Sequence, residues 1–158
     1  MEINCHLKLG PCCLHTHPLH ALAILCTEQS EKVLDELFDY IKILDYLPPG
    51  DLLAKNIKKH KALFLKNHGV FISGESMLTC LETTMNIDKT CQKFLQSQIK
   101  NNKFLFPDAF VLKEENKFYY SYIKDLIKSA GLTEKFLKKQ EVQFLNDMEE
   151  EKYRRTIK

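Results

Sequence analysis

The chain has 158 residues, 44% apolar and 28% charged, which suits one soluble globular domain with a full-sized core. Its 23 basic and 21 acidic residues leave a formal charge of +2, so there is no electrostatic case for nucleic acid or an anionic membrane as partner. No apolar run approaches the ~18 residues of a bilayer span, and no basic-then-apolar leader opens the sequence, so a cytoplasmic protein is expected.

In chain order, Cys12-Cys13-Leu14 reads as a short strand running into His15-Thr16-His17. Strand side chains repeat every two residues, so both histidines point the same way. Pro18 suits the first position of a helix, and Leu19–Leu25 is apolar nearly all round, which predicts a buried helix. Residues 27–39 carry Val33, Leu34, Leu37 and Phe38 at helical spacing and predict a second one. A strand over 41–46 is stopped by Pro48-Pro49-Gly50. Asp51 then caps a predicted helix through His60, with Leu52, Leu53 and Ile57 facing in.

Two apolar runs, Ala62–Leu65 and 70–72, flank Asn67-His68-Gly69, the composition of a tight turn. They predict a hairpin with His68 at its tip. Ser76 caps a long predicted helix to Lys100 whose buried stripe is Leu78, Leu81, Met85 and Leu95. An extended segment is expected over 104–112. Helices follow over 119–129 and 133–153, separated by Gly131, and the last has Phe136, Leu137, Phe144, Leu145 and Met148 on its apolar face. Tyr119, Tyr120 and Tyr122 read as helix packing, with a catalytic tyrosine as the alternative. The charged run at 149–155 reads as a solvated end.

Six cysteines at irregular spacing, without a secretory signal, read as free thiols. Cys12, Cys13, His15 and His17 resemble half of a structural zinc knot whose second half is missing. The sharper reading joins His15 and His17 to His68. Three neutral imidazoles with an open coordination position are how proteins hold a catalytic divalent metal, zinc first. His20 and His60 read as ordinary polar residues.

The ordered set His15-Thr16-His17-Pro18, Tyr46-Leu47-Pro48-Pro49-Gly50 and Leu65-Lys66-Asn67-His68-Gly69-Val70-Phe71-Ile72-Ser73-Gly74, followed by a long helix, resembles the class II aldolase/adducin family. The resemblance implies a three-layer α/β/α fold with a central, mostly antiparallel sheet over 1–112, and a C-terminal helical extension over 113–158. It implies Zn²⁺, or another divalent metal, on His15, His17 and His68, and retro-aldol cleavage of a small phosphorylated sugar through a zinc-stabilised enediolate. Family members also carry a glutamate four residues before a histidine as the acid/base. Glu2 and His6 have that spacing, making Glu2 the catalytic candidate. A homo-oligomer, a tetramer in the family, is implied as well.

The family's phosphate-cradling loops lie ahead of the histidine pair, and none of the five glycines here forms one. The metal half of a site is therefore expected without the phosphate half. The chain is then a piece of a longer product or a shortened relative with weak activity. Dehydratase or epimerase chemistry at the same metal, a non-catalytic adducin-like domain and a structural zinc protein remain open alternatives.

Overall fold

A computed structural model describes residues 2–98 and 115–147. The elements run α1 (Ile3–Leu9), β1 (Cys13–Thr16), α2 (Leu19–Leu25), α3 (Ser30–Leu37), β2 (Ile41–Leu44), α4 (Asp51–Asn56), β3 (Ala62–Leu65), β4 (Gly69–Ser73), α5 (Met77–Gln98), α6 (Glu115–Ser129) and α7 (Lys139–Asp147). The strands form one sheet in the order β1-β4-β3-β2. β1 pairs with β4 and β4 with β3 antiparallel, while β2 lies parallel to β3.

The central strands β3 and β4 are buried along their whole length because helices cover both faces. Period-two alternation divides their side chains between two cores. Ala62, Phe64, Val70 and Ile72 meet α2, α3, α5 and α6 on one face, with Ile24, Leu34, Ile87, Leu95 and Ile127. Leu63, Leu65 and Phe71 meet α1 and α4 on the other, with Cys5, Leu9, Leu53 and Ile57. This is the expected three-layer α/β/α arrangement with a mostly antiparallel sheet. α2 is apolar nearly all round because α3, α5 and α6 all pack on it.

Several local expectations are corrected. α1 is an element the sequence reading did not include; Cys5 and Leu9 are buried in it, while Ile3 and Leu7 are exposed. α3 starts at Ser30, three residues late, because the Thr27 hydroxyl donates to the Ile24 carbonyl at 2.8 Å and closes the preceding turn. α4 stops at Asn56, since Ile57 takes an extended conformation (φ −79°, ψ 147°) that buries its side chain. Gly50 and not Asp51 is its N-cap; Asp51 accepts a hydrogen bond from Asn4 at 2.8 Å, and Leu52 faces solvent.

The stripe on α5 is also displaced. Cys80, Thr84, Ile87, Cys91 and Leu95 face the core, whereas Leu78, Leu81 and Met85 are exposed. Thr84 is buried at little cost because its hydroxyl donates to the Cys80 carbonyl at 2.8 Å. Ser76 does cap this helix, its Oγ accepting the Thr79 N–H at 3.1 Å.

Gly131 ends α6 with φ 69°. The Leu132 and Gly131 N–H groups reach back to the carbonyls of Ile127 and Lys128, a Schellman closure. The last helix then begins at Lys139 and not at 133, because residues 133–135 are spent on backbone bonds to Cys26 and Glu28. Phe136 precedes that helix, and both it and Phe144 are exposed. The segment expected at 104–112, the end at 148–155 and the side chains of Tyr119, Tyr120, Leu145 and Met148 lie outside the described residues; Tyr122 packs against the first core. All six cysteines are free thiols. No helix among the described residues is long and apolar enough to cross a membrane.

Candidate metal centre

The β1 register places His15 opposite Phe71. The imidazole lies on that ring, centroids 4.1 Å apart and planes 20° from parallel. Its Nδ1 is 2.9 Å from the Val70 carbonyl. A carbonyl only accepts, so Nδ1 carries the proton and Nε2 presents a bare lone pair. His17 follows two residues on, and its Nε2 stands 3.2 Å from the Nε2 of His15.

His68 comes from the turn between β3 and β4. Asn67 supplies the left-handed residue that the turn needs (φ 56°), a conformation asparagine tolerates better than most. Its side chain donates to the Lys135 carbonyl at 2.7 Å and its N–H to the Leu25 carbonyl at 3.2 Å, which fixes the turn against α2. Gly69 lets β1 approach. A Cβ there would meet the His17 ring and come within 2.6 Å of the Thr16 carbonyl.

Glu2 completes the cluster from the mouth of α1. Its carbonyl accepts the N–H groups of Cys5 at 2.9 Å and His6 at 3.2 Å, so its backbone is tied into the helix start. Oε1 lies 3.0 Å from His68 Nε2 and Oε2 lies 3.2 Å from His15 Nε2.

Burial drives the His15 pKa down to about 4, against the opposing pull of Glu2 and the Val70 carbonyl. The ring is therefore neutral near pH 7. Burial would raise the Glu2 carboxyl, but the hydrogen bond with His68 and the three neighbouring imidazoles outweigh it and hold it below the ordinary value. The result is an ionised carboxylate beside the lone pair of a neutral imidazole, with no proton between them at 3.2 Å.

That arrangement fits a bound cation. The ligand atoms of His15, His17 and His68 lie within 4.8 Å of one another. Two nitrogens bound to one zinc at ~2.0–2.1 Å and a tetrahedral angle stand roughly 3.3 Å apart. The His15–His17 separation of 3.2 Å meets that figure. Imidazole and carboxylate donors suit zinc and its borderline neighbours.

The structure thus brings together all four residues that the sequence singled out. His60 is exposed and His20 pairs with Asp88 at 2.9 Å, away from the cluster. Cys13 turns into the core beside α1 and α4, where burial raises its thiol pKa, and it contributes nothing to the cluster. Sequence reasoning missed the Val70 carbonyl, which has no side-chain signal. It also missed Phe71, which only the β1–β4 register identifies as the platform under His15.

A family model described as the class II aldolase and adducin N-terminal domain matches residues 3–95, more than half of the chain. No curated protein matches it. Among solved structures, the N-terminal class II aldolase domain of a conserved protein from Thermoplasma acidophilum is 24% identical, with a TM-score of 0.47 over 52% of this chain and 41% of that one. YgbL from Klebsiella pneumoniae, for which aldolase, epimerase or decarboxylase activity has been proposed, is 18% identical, with a TM-score of 0.47 over 66% of this chain and 58% of its own. An aldolase II superfamily protein from Pseudomonas syringae is also 18% identical, with a TM-score of 0.43 over 75% and 54%. Its alignments therefore span about half the length of these proteins.

Proposed function

Because the chain belongs to the class II aldolase and adducin N-terminal domain family, we propose that it is a metal-dependent lyase that cleaves a carbon–carbon bond in a small phosphorylated sugar. His15, His17 and His68 would hold a divalent cation, zinc being the best match to their donor set. When bound, such a cation supplies the Lewis acidity that stabilises negative charge on the substrate's carbonyl and neighbouring hydroxyl oxygens.

The chain's own residues do the rest. Glu2, held ionised, accepts the proton from the hydroxyl whose carbon leaves as an aldehyde, and returns it to the carbon that keeps the electron pair. Phe71 and the Val70 carbonyl lock the His15 ring and its tautomer, so Nε2, the nitrogen offered to the cation, is unprotonated near pH 7.

The observation that supports this reading is the bare His15 nitrogen facing both His17 and the Glu2 carboxylate. The test is metal analysis of the wild type and of His68→Ala, with a coupled retro-aldol assay on a panel of phosphorylated ketoses in added Zn²⁺. About one zinc per chain in the wild type, lost in the variant, is expected for a three-histidine site. Unchanged zinc content in the variant would remove the proposal. Dehydration and epimerisation run on the same panel decide which reaction the site performs. A homo-oligomer in the cytoplasm is part of the same proposal, and sedimentation velocity reads the assembly.

A further inference from the structure

A cavity of about 420 Å³ lies beside the metal centre. That volume is within the range of small-molecule sites. His68 and Asn67 are part of its lining. The remaining walls are mostly apolar, built from Leu22 of α2 and Cys26 at its C-cap, Ile123 and Ile127 of α6, and Phe136 and Leu137 of the segment beyond. The α6 and 132–137 wall lies outside the residues 3–95 that the family model matches.

The wall is held firmly. The Schellman closure after Ile127 turns the chain back over α2. The Lys135 N–H then donates to the Cys26 carbonyl at 2.8 Å, and the Glu28 N–H to the Thr133 carbonyl at 3.0 Å. Asn67 joins the wall to the metal-bearing turn through the Lys135 carbonyl. Phe136 remains 62% exposed with the Lys124 ammonium 5.5 Å from its ring centroid, so much of its side chain has area to offer a ligand.

We propose that this cavity receives an apolar substituent, a short aliphatic chain or an aromatic ring, of the compound whose oxygens reach the metal centre. The inference rests on the metal-dependent reading and narrows its substrate class. Apolar groups gain from leaving water against Leu22, Ile127 and Phe136, whereas bare hydroxyls would lose hydrogen bonds there without replacement. A phosphate is the competing occupant, because Lys124 and Lys135 also line the cavity. Glu134 in the same wall opposes an anion, and the Lys124 ammonium lies 5.5 Å from the centroid of the Phe136 ring, where it is already engaged.

The experiment has two arms on the full chain. Zinc-loaded protein is titrated with acetohydroxamate and hexanohydroxamate, which share a metal-binding head and differ in tail. We expect the longer tail to bind at least about tenfold more tightly, since each buried methylene is worth ~0.8 kcal/mol. In Phe136→Ala, which removes an exposed side chain and spares the core, the ratio should fall to about threefold or less, with acetohydroxamate unaffected. Equal affinities in the wild type, or an unchanged ratio in the variant, would overturn the proposal.

In the second arm, metal-free protein is titrated with benzyl alcohol while the methyl resonances of Leu22, Ile123 and Ile127 are followed. Saturable shifts at these methyls are expected, and their absence overturns the pocket. Suppression of the shifts by inorganic phosphate would overturn it in favour of an anion site. Failure of both hydroxamates with benzyl alcohol binding intact would count against the metal reading alone.

Discussion

Gly69→Ala isolates the step that joins the two halves of the candidate metal centre. The glycine follows His68 directly, and its φ is not in the left-handed region, so alanine meets no backbone penalty there. The obstacle is space. The new methyl would sit 2.6 Å from the Thr16 carbonyl and against the His17 ring. The carbonyl belongs to β1, which is paired to β4 one residue away through Thr16 and Val70, so it can yield only if the strand shifts. Forcing a methyl into such a contact costs about 1–3 kcal/mol. At roughly 2–4 °C per kcal/mol for a chain of this size, the melting temperature should fall by about 2–12 °C.

The same shift moves His17 away from His15. Ligand geometry matters at the level of tenths of an ångström, so zinc affinity should fall at least about tenfold. The assay pairs thermal melts in chelator with zinc competition titrations, and Gly131→Ala serves as a control. At Gly131 nothing lies within 4 Å of an added Cβ, so the effect there is left-handed backbone strain, without a change in zinc affinity. An elsewhere harmless glycine-to-alanine change stabilises by ~0.4–1 kcal/mol through the unfolded state. A Gly69→Ala protein with raised melting temperature and wild-type zinc affinity would refute the reasoning.

Asp88 should contribute stability that disappears in acid. Its carboxylate accepts the N–H groups of His20 at 2.8 Å and Ala21 at 3.2 Å, and meets the His20 ring at 2.9 Å, pinning the start of α2 to α5. Burial would raise its pKa, but these bonds outweigh burial and lower it. A depressed pKa gives stability that is complete above the ordinary aspartate value of ~3.9 and is lost as pH falls through the folded value. Asp88→Asn should therefore cost about 1–2 kcal/mol near pH 7, with the gap closing below about pH 4 in urea titrations. The face assigned to α5 is checked by a pair of truncations. Ile87→Ala should cost about 2–4 kcal/mol, while Met85→Ala, at an exposed position, should stay within ~0.5 kcal/mol by denaturant unfolding.

The residues that carry the centre were legible from the chain alone, because their signals are local. His15 and His17 share a face by strand geometry, Asn67-His68-Gly69 is turn chemistry, and the apolar runs beside it need cover on both sides. The order of these motifs was enough to name the family and the layered fold. What the sequence left open depends on partners distant along the chain. The stripe of α5 went to Cys80, Thr84 and Ile87 because a helix carrying apolar residues on more than one side is oriented by what it packs against. α1 has too little periodicity to announce itself, yet its packing on α4 is what brings Glu2 to His15 and His68. The lone pair of His15 is aimed by a backbone carbonyl, which any residue at position 70 would supply, so no letter of the sequence records it. The apolar cavity likewise exists only because the chain after α6 folds back over α2, a closure made by main-chain hydrogen bonds that composition does not reveal.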